Sequence, residues 1–164
     1  MLWVIYAIAA YFVLWHWSAK ISESDVEKKN IVTQTLTNTW EVCRKDRCRT
    51  VEVAQTEEER SIGLMWRDAM SQDHWMLFVF EEAKDWGFWM KNTDIPLDII
   101  WLDSNFVVVD YTTMQPCVSE PCPTAWPRSE ALYVLELNAN QAKIAWFEPG
   151  SVLRYTPSQI SKVE

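Results

Sequence analysis

The stretch FWMKNTDIPLDIIWLD, Phe88 to Asp103, decides how the rest of the chain is read. Lys91, Asn92 and Thr93 interrupt two apolar runs, and Asp98 sits between Leu97 and Ile99. Short runs of β-branched and aromatic residues bounded by polar ones read as strands. The same pattern recurs on both sides, in WMLFVF (75–80), WGFWM (86–90), FVVVDYT (106–112), LYVLELN (132–138) and SVLRYT (151–156). So many short strands predict a mainly β domain, a compact sandwich or small barrel, rather than a βαβ fold.

Toward the N-terminus, TWEVC (39–43) and CRTVEVAQ (48–55) flank Arg44 to Arg47, and Val51 and Val53 alternate with Glu52. This predicts a hairpin with Cys43 opposite Cys48 beside the turn. Such a disulfide closes a small loop, so its contribution falls at the low end of about 2–4 kcal/mol and its main role is to fix register. Thr56 followed by Glu57, Glu58 and Glu59 is a capping box with acidic residues at the positive end of the helix dipole. It predicts one short helix running to about Met65.

The chain has 164 residues and 19.3 kDa, one domain with room for an appendage. A formal charge of −8 and a pI near 4.8 argue against a nucleic-acid binder, which needs a basic face. With 49% hydrophobic residues a core can be buried, and wholesale disorder is excluded. Eleven Trp and three Gly (Gly63, Gly87, Gly150) are unusual counts. No charged side chain precedes Lys20, and MLWVIYAIAAYFVLWHWSA reaches about 28 Å as a helix, close to the hydrocarbon thickness of a bilayer. We therefore expect a single N-terminal transmembrane helix at 1–19, a polar tether at 20–39 and the β domain at 40–164. Trp3, Trp15 and Trp17 fall where interfacial aromatics are expected. A missing basic n-region and the poor cleavage site Trp17-Ser18-Ala19 argue that the segment is an uncleaved anchor.

Lys20, Lys28 and Lys29 favour a cytoplasmic side for the chain beyond the anchor, diluted by Glu23, Asp25 and Glu27. The cysteines favour the opposite side. Cys43/Cys48 and Cys117/Cys122 are two local pairs with four residues between the partners, as small staples in an oxidising compartment would be. A single zinc site built from all four thiolates is the alternative. The expected location is thus a single-pass membrane protein with its β domain on the periplasmic or extracytoplasmic side.

The blocks VEVAQTEEERSIGLMWR, MLFVF, FWMKNTDIPLDIIWLD, PCVSEPCP and YVLELNA, in this order from about Val51 to Tyr155, resemble the bacterial and archaeal family called domain of unknown function 192. The resemblance implies a compact, mainly β fold, often exported or membrane-tethered, with no agreed activity. The chain departs from the family pattern at His74-Trp75, where glycine is common before MLFVF. It departs again at Ser104-Asn105, in place of an acidic-glycine turn, and at Asn138 and Asn140 near the end of the YVLEL strand. Asn tolerates the left-handed conformation, so the turns can survive. Trp75 in place of glycine changes a surface and suggests a partner-specific patch.

Candidate chemistry is sparse. Two histidines, one of them in the expected anchor, do not assemble a Ser-His-Asp set, and His74 beside Asp73 and Trp75 reads as a surface residue. No metal motif or phosphate loop is present, and no cofactor is expected. Asp98 in a buried-looking strand requires a partner. A structural ion pair with Arg60 or Arg67 is the reading adopted, and the alternative is a small pocket in which Lys91 and Asn92 contact a polar ligand and Trp89 stacks on it. In PCVSEPCPTAWP, Pro116, Pro121, Pro123 and Pro127 stiffen a loop that Cys117–Cys122 clips, and four intervening residues suit a staple better than a redox dithiol. His16, between Trp15 and Trp17, reads as an interfacial residue, with a haem or chlorophyll-type pigment ligand as the alternative. Of the eight Trp beyond the anchor, Trp75, Trp86 and Trp126 are expected to face a partner. Trp89 and Trp101 fit core or interface equally. The expected function is a non-enzymatic accessory or structural subunit docking on the extracytoplasmic face of a larger membrane assembly, respiratory or photosynthetic. The alternative is a tethered ligand-binding or hydrolytic domain using Lys91, Asn92 and Asp98.

Overall fold

The computed structural model describes residues 39–157. The expected anchor with Trp3, Trp15, His16 and Trp17, and the tether up to residue 38, lie outside the described residues. No helix among the described residues is long and apolar enough to cross a membrane.

The hairpin forms as expected, from β1 (Thr39–Arg44) and β2 (Arg47–Ala54), with Cys43 directly opposite Cys48 and disulfide-bonded to it. Helix α1 (Glu57–Ile62) follows with its capping box in place: the Glu59 amide donates to Thr56 Oγ1 at 3.2 Å and the Thr56 amide to Glu59 Oε2 at 2.9 Å. It ends three residues short of Met65, because Gly63 leaves the helix at φ 48° while its amide still caps Glu59 O at 2.8 Å. A Cβ at Gly63 would lie 3.0 Å from the Phe78 ring, so this turn packs directly on the sheet.

The other strands are β3 (Trp75–Lys84), β4 (Phe88–Trp89), β5 (Leu97–Leu102), β6 (Val108–Met114), β7 (Thr124–Ala125), β8 (Ala131–Asn138) and β9 (Arg154–Pro157). Seven strands form one sheet in the order β6-β5-β8-β3-β2-β1-β9, and β4 pairs with β7 in a separate two-stranded ribbon. The domain is mainly β, as expected. It is neither two packed sheets nor a closed barrel: the large sheet is open, and its ends meet at an isolated bridge, Val107 to Val152, with the Gly150 amide also donating to Val108 O at 2.8 Å. The reason lies between β2 and β3, which pair in parallel and so need a crossover. Helix α1 and the loop after it supply one, a βαβ-like unit that runs against the expectation from sequence.

The crossover covers one face of the sheet, where Leu64 and Ile95 pack on Met76, Phe78, Ile99, Trp101 and Val134. On the other face Val51, Val53, Leu77, Ile100, Leu135 and Leu137 pack with Phe106 and Phe147. All six residues of β5 are buried, because the strand is covered on both faces, and this accounts for the unbroken apolar run DIIWL. A second helix, α2 (Gln141–Ala145), is not expected from sequence. Asp98, buried on the face opposite α1, holds its start: Ala142 N–H donates to Oδ2 at 2.8 Å and the Thr113 hydroxyl to Oδ1 at 2.6 Å.

The turn between β5 and β6 survives without glycine, but by a different residue than Ser104 or Asn105. Asp103 Oδ1 accepts the amides of Asn105 and Val107 at 2.8 and 2.9 Å, and the left-handed residue is Phe106 at φ 58°. Asn140, at φ 70°, behaves as anticipated. Cys117 and Cys122 form the second disulfide, so the described cysteines are all paired and the zinc alternative is withdrawn.

Replacing Asp98 by Ala strands the buried Ala142 amide while the exposed Thr113 hydroxyl can turn to water, and should lower urea-unfolding stability by about 2 kcal/mol, with Asp98→Asn costing less. Equal small losses for both variants, read by Trp fluorescence, would remove this role for Asp98.

Candidate functional site

Strand register sets the site. Glu52 on β2, Met76 on β3, Glu136 on β8 and Ile99 on β5 lie directly opposite one another in turn, so their side chains share the face that the crossover covers. In YVLELN the alternation puts Leu135 and Leu137 on the other face and Glu136 on this one. Here Gly63, Leu64, Phe78, Trp89 and Thr93 close over Glu136 and leave a cleft of about 40 Å³. That is room for ordered water. Glu136 is 5% exposed, and no described residue hydrogen-bonds its carboxyl. Burial pushes it up to about 8, opposed in part by the attraction of Arg67. At neutral pH it is therefore largely a neutral acid, able both to donate and to accept a hydrogen bond.

Beside it, Arg67 grips Glu52 with both guanidinium nitrogens, Nη1 to Oε1 at 2.7 Å and Nη2 to Oε2 at 2.9 Å. His74 Nε2 also contacts Glu52 Oε1. Burial disfavours the Glu52 carboxylate, but the hydrogen bonds from Arg67 and then His74, with their charges, outweigh it and hold the group at about 2. His74 is thus half-buried and bonded, not a free surface residue.

The structure divides the residues expected to act together. Lys91, Asn92 and Thr93 form a turn at the cleft side: Thr93 lines the cleft, Asn92 O accepts the Trp66 amide at 2.7 Å, and Lys91 lies 5.3 Å from the Trp89 ring and 3.3 Å from Glu120. Asp98 belongs to the other face and pairs with neither arginine. Arg67 takes Glu52, and Arg60 donates to the carbonyls of Gln55 and Val79, the latter at 2.9 Å. The reason is the two-residue period of β5, which turns Asp98 away from its neighbours Leu97 and Ile99.

The tryptophans also separate. Trp75 is 6% exposed and meets Phe147 edge-on at 5.6 Å, so the expectation that it forms a surface patch is corrected. Trp101 is core, its indole donating to Trp86 O at 2.8 Å. Trp86 is half-buried on Phe80, with centroids 4.1 Å apart. Trp89 and Trp126 are 47% and 63% exposed. They flank the β4/β7 ribbon, and Trp126 lies against Gly87, where a Cβ would come within 2.8 Å of its ring. The disulfide Cys117–Cys122 leads into this ribbon, and the Lys91–Glu120 pair joins it to the cleft-side turn. Among the described residues no three His, Cys, Asp or Glu side chains gather as a metal site.

Glu136 is not evident from sequence, because a Glu between two leucines in a strand looks like an outward-facing position. The available signal is that YVLELN needs both faces covered if the neighbouring strands are as apolar as WMLFVF and DIIWL.

These features define a disulfide-clipped, mainly β domain with a carboxylic acid at the base of a small cleft. The chain belongs to the DUF192 family, "Uncharacterized ACR, COG1430", which it matches over residues 40–155. It is similar to a crystal structure from Sinorhizobium meliloti 1021 that carries a provisional transcription-regulator label, at 32% identity and a TM-score of 0.61, covering 73% of this chain and 92% of that one. It is also similar to a protein of unknown function from Novosphingobium aromaticivorans DSM 12444, at 27% identity and a TM-score of 0.60, covering 71% and 83%. No curated protein matches.

The two glutamates predict opposite pH effects. An ordinary Glu ionises at 4.5, so Glu136 contributes its stability in full below that pH and loses it as pH rises toward about 8. Glu52 contributes above 4.5 and loses its share as pH falls toward about 2. In urea unfolding from about pH 5 to about pH 8, Glu136→Gln should flatten the decline seen for the unmodified chain. Parallel declines for both proteins would contradict the burial of this acid.

Proposed function

We propose that the chain is a non-enzymatic accessory subunit, held to a membrane by residues 1–19, whose β domain docks on the extracytoplasmic face of a larger membrane-protein assembly, of the respiratory or photosynthetic kind. One observation carries it: Trp89 and Trp126 stand exposed on a short ribbon backed by Gly87 and clipped by a disulfide. Rigid, exposed Trp side chains are the residues that interfaces use as anchors, since they bring large area at little entropic cost. The two disulfides support an oxidising compartment, and the uncharged first 19 residues support the tether. In mild detergent the full chain should migrate with a larger assembly. Trp126→Ala or Trp89→Ala should weaken that association by about thirtyfold, the scale of an interface hot spot. A lone monomer that is indifferent to both changes contradicts the reading.

A second reading has its own support in Glu136. A buried neutral acid beside Thr93 and Trp89, in a cleft with room for ordered water, suits a tethered domain that admits only the polar tip of a ligand there, with Glu136 in the place that the sequence suggests for Asp98. Ligand-observed NMR on the full chain tests it, since any binder should be lost in Glu136→Gln.

A further inference from the structure

A larger cavity, about 500 Å³, lies at the opposite face of the sheet, between the β1–β2 turn and α2. Its volume is in the range of small-molecule sites, roughly 300–1,000 Å³. Its walls differ in character. One is the turn itself, contributing Arg44, Lys45, Arg47 and Arg49 with a single acid, Asp46. The other is apolar and aromatic, made by Trp75, Phe147, Ile144 and Trp146, the last two strongly exposed.

The cations stand out in a chain whose net charge is −8. Arg49 is balanced by Asp73 at 2.8 Å. Arg44 donates to two neutral acceptors, Ala145 O at 3.2 Å and Ser151 Oγ at 3.4 Å, so it is positioned at the wall without being neutralised. Among the described residues no Asp or Glu forms an ion pair with Arg44, Lys45 or Arg47. The wall beside these cations includes a nearly buried aromatic ring. Trp75 lines the cavity, and its indole N–H is buried without a hydrogen-bond partner. The N–H itself is closed off from the cavity, so it is the Trp75 ring that a bound molecule meets.

We propose that this cavity binds a small amphiphilic anion, a compound with an aromatic or aliphatic body and one carboxylate or sulfonate group. The body lies on Phe147, Ile144 and Trp146. The anionic head meets Arg44 and Arg47 where they border the Trp75 ring, which forms part of the same wall. A bare inorganic anion leaves the apolar wall unused, and a neutral molecule leaves the cations uncompensated. The site is independent of the Trp89/Trp126 ribbon and of the Glu136 cleft.

The test uses the full chain with ¹⁵N-labelled tryptophan in a nonionic detergent, with 4-phenylbutyrate as probe and 4-phenylbutanol as its uncharged counterpart. Trp75→Phe identifies the Trp75 indole signal by its disappearance. Phenylbutyrate should shift that signal saturably, while the alcohol should not. Arg47→Gln, whose parent side chain makes no hydrogen bond to described residues, should weaken binding about tenfold, the value of one charge-assisted contact. If the Trp75 signal does not move in a chain whose other indole signals are intact, if acid and alcohol bind alike, or if Arg47→Gln binds as tightly, the proposal is wrong.

Discussion

Arg67 and Glu52 hold the crossover loop against the sheet. Their two parallel hydrogen bonds, at 2.7 and 2.9 Å, join partly buried groups, so each is left costly without the other. Two further ties complete the fastening. Asn138 Nδ2 donates to the carbonyls of Met70 and Ser71 at 2.9 and 3.0 Å, and the Trp66 amide donates to Asn92 O at 2.7 Å. Fixed at these points, the segment from Gly63 to His74 lies over β2, β3 and β8, and this cover turns Glu136 from an outward-facing Glu into a buried acid. The same guanidinium that neutralises Glu52 also opposes, in part, the rise of Glu136. Two glutamates on one row of the sheet, Glu52 and Glu136, thus ionise at opposite ends of the ordinary range because one has Arg67 in direct contact and the other has no partner among the described residues.

Because the sheet is covered on both sides, its faces carry different properties. The crossover face holds the small cleft and leads through the Lys91–Glu120 pair to the disulfide-clipped ribbon with its exposed tryptophans. The opposite face holds Asp98, α2 and the basic cavity. Strand alternation makes this division: Asp98 and Ile99 are neighbours in β5, yet they serve opposite faces.

Much is legible where the determinants are close in sequence. The capping box at Thr56, the hairpin register that puts Cys43 against Cys48, the second cysteine staple and strands β5, β6 and β8 all follow from local patterns, whereas β7 lies in what reads as a loop. The sheet order, the parallel β2–β3 pair and α2 do not, since each depends on contacts between distant segments. Helix α2 is the clearest case: it is only five residues long, and a carboxylate from Asp98, more than forty positions earlier, caps its first turn. Trp75 and Glu136 are hard to place from sequence for the same reason. A side chain's exposure depends on what covers it, and Phe147 and Gly63 come from far along the chain.

Amide hydrogen exchange on the full chain, compared between its native membrane and the purified protein in detergent, tests the docking account most directly. The account predicts added protection in the membrane concentrated at residues 86–89 and 117–128, around the exposed ribbon. Identical exchange at those residues in both settings would contradict it.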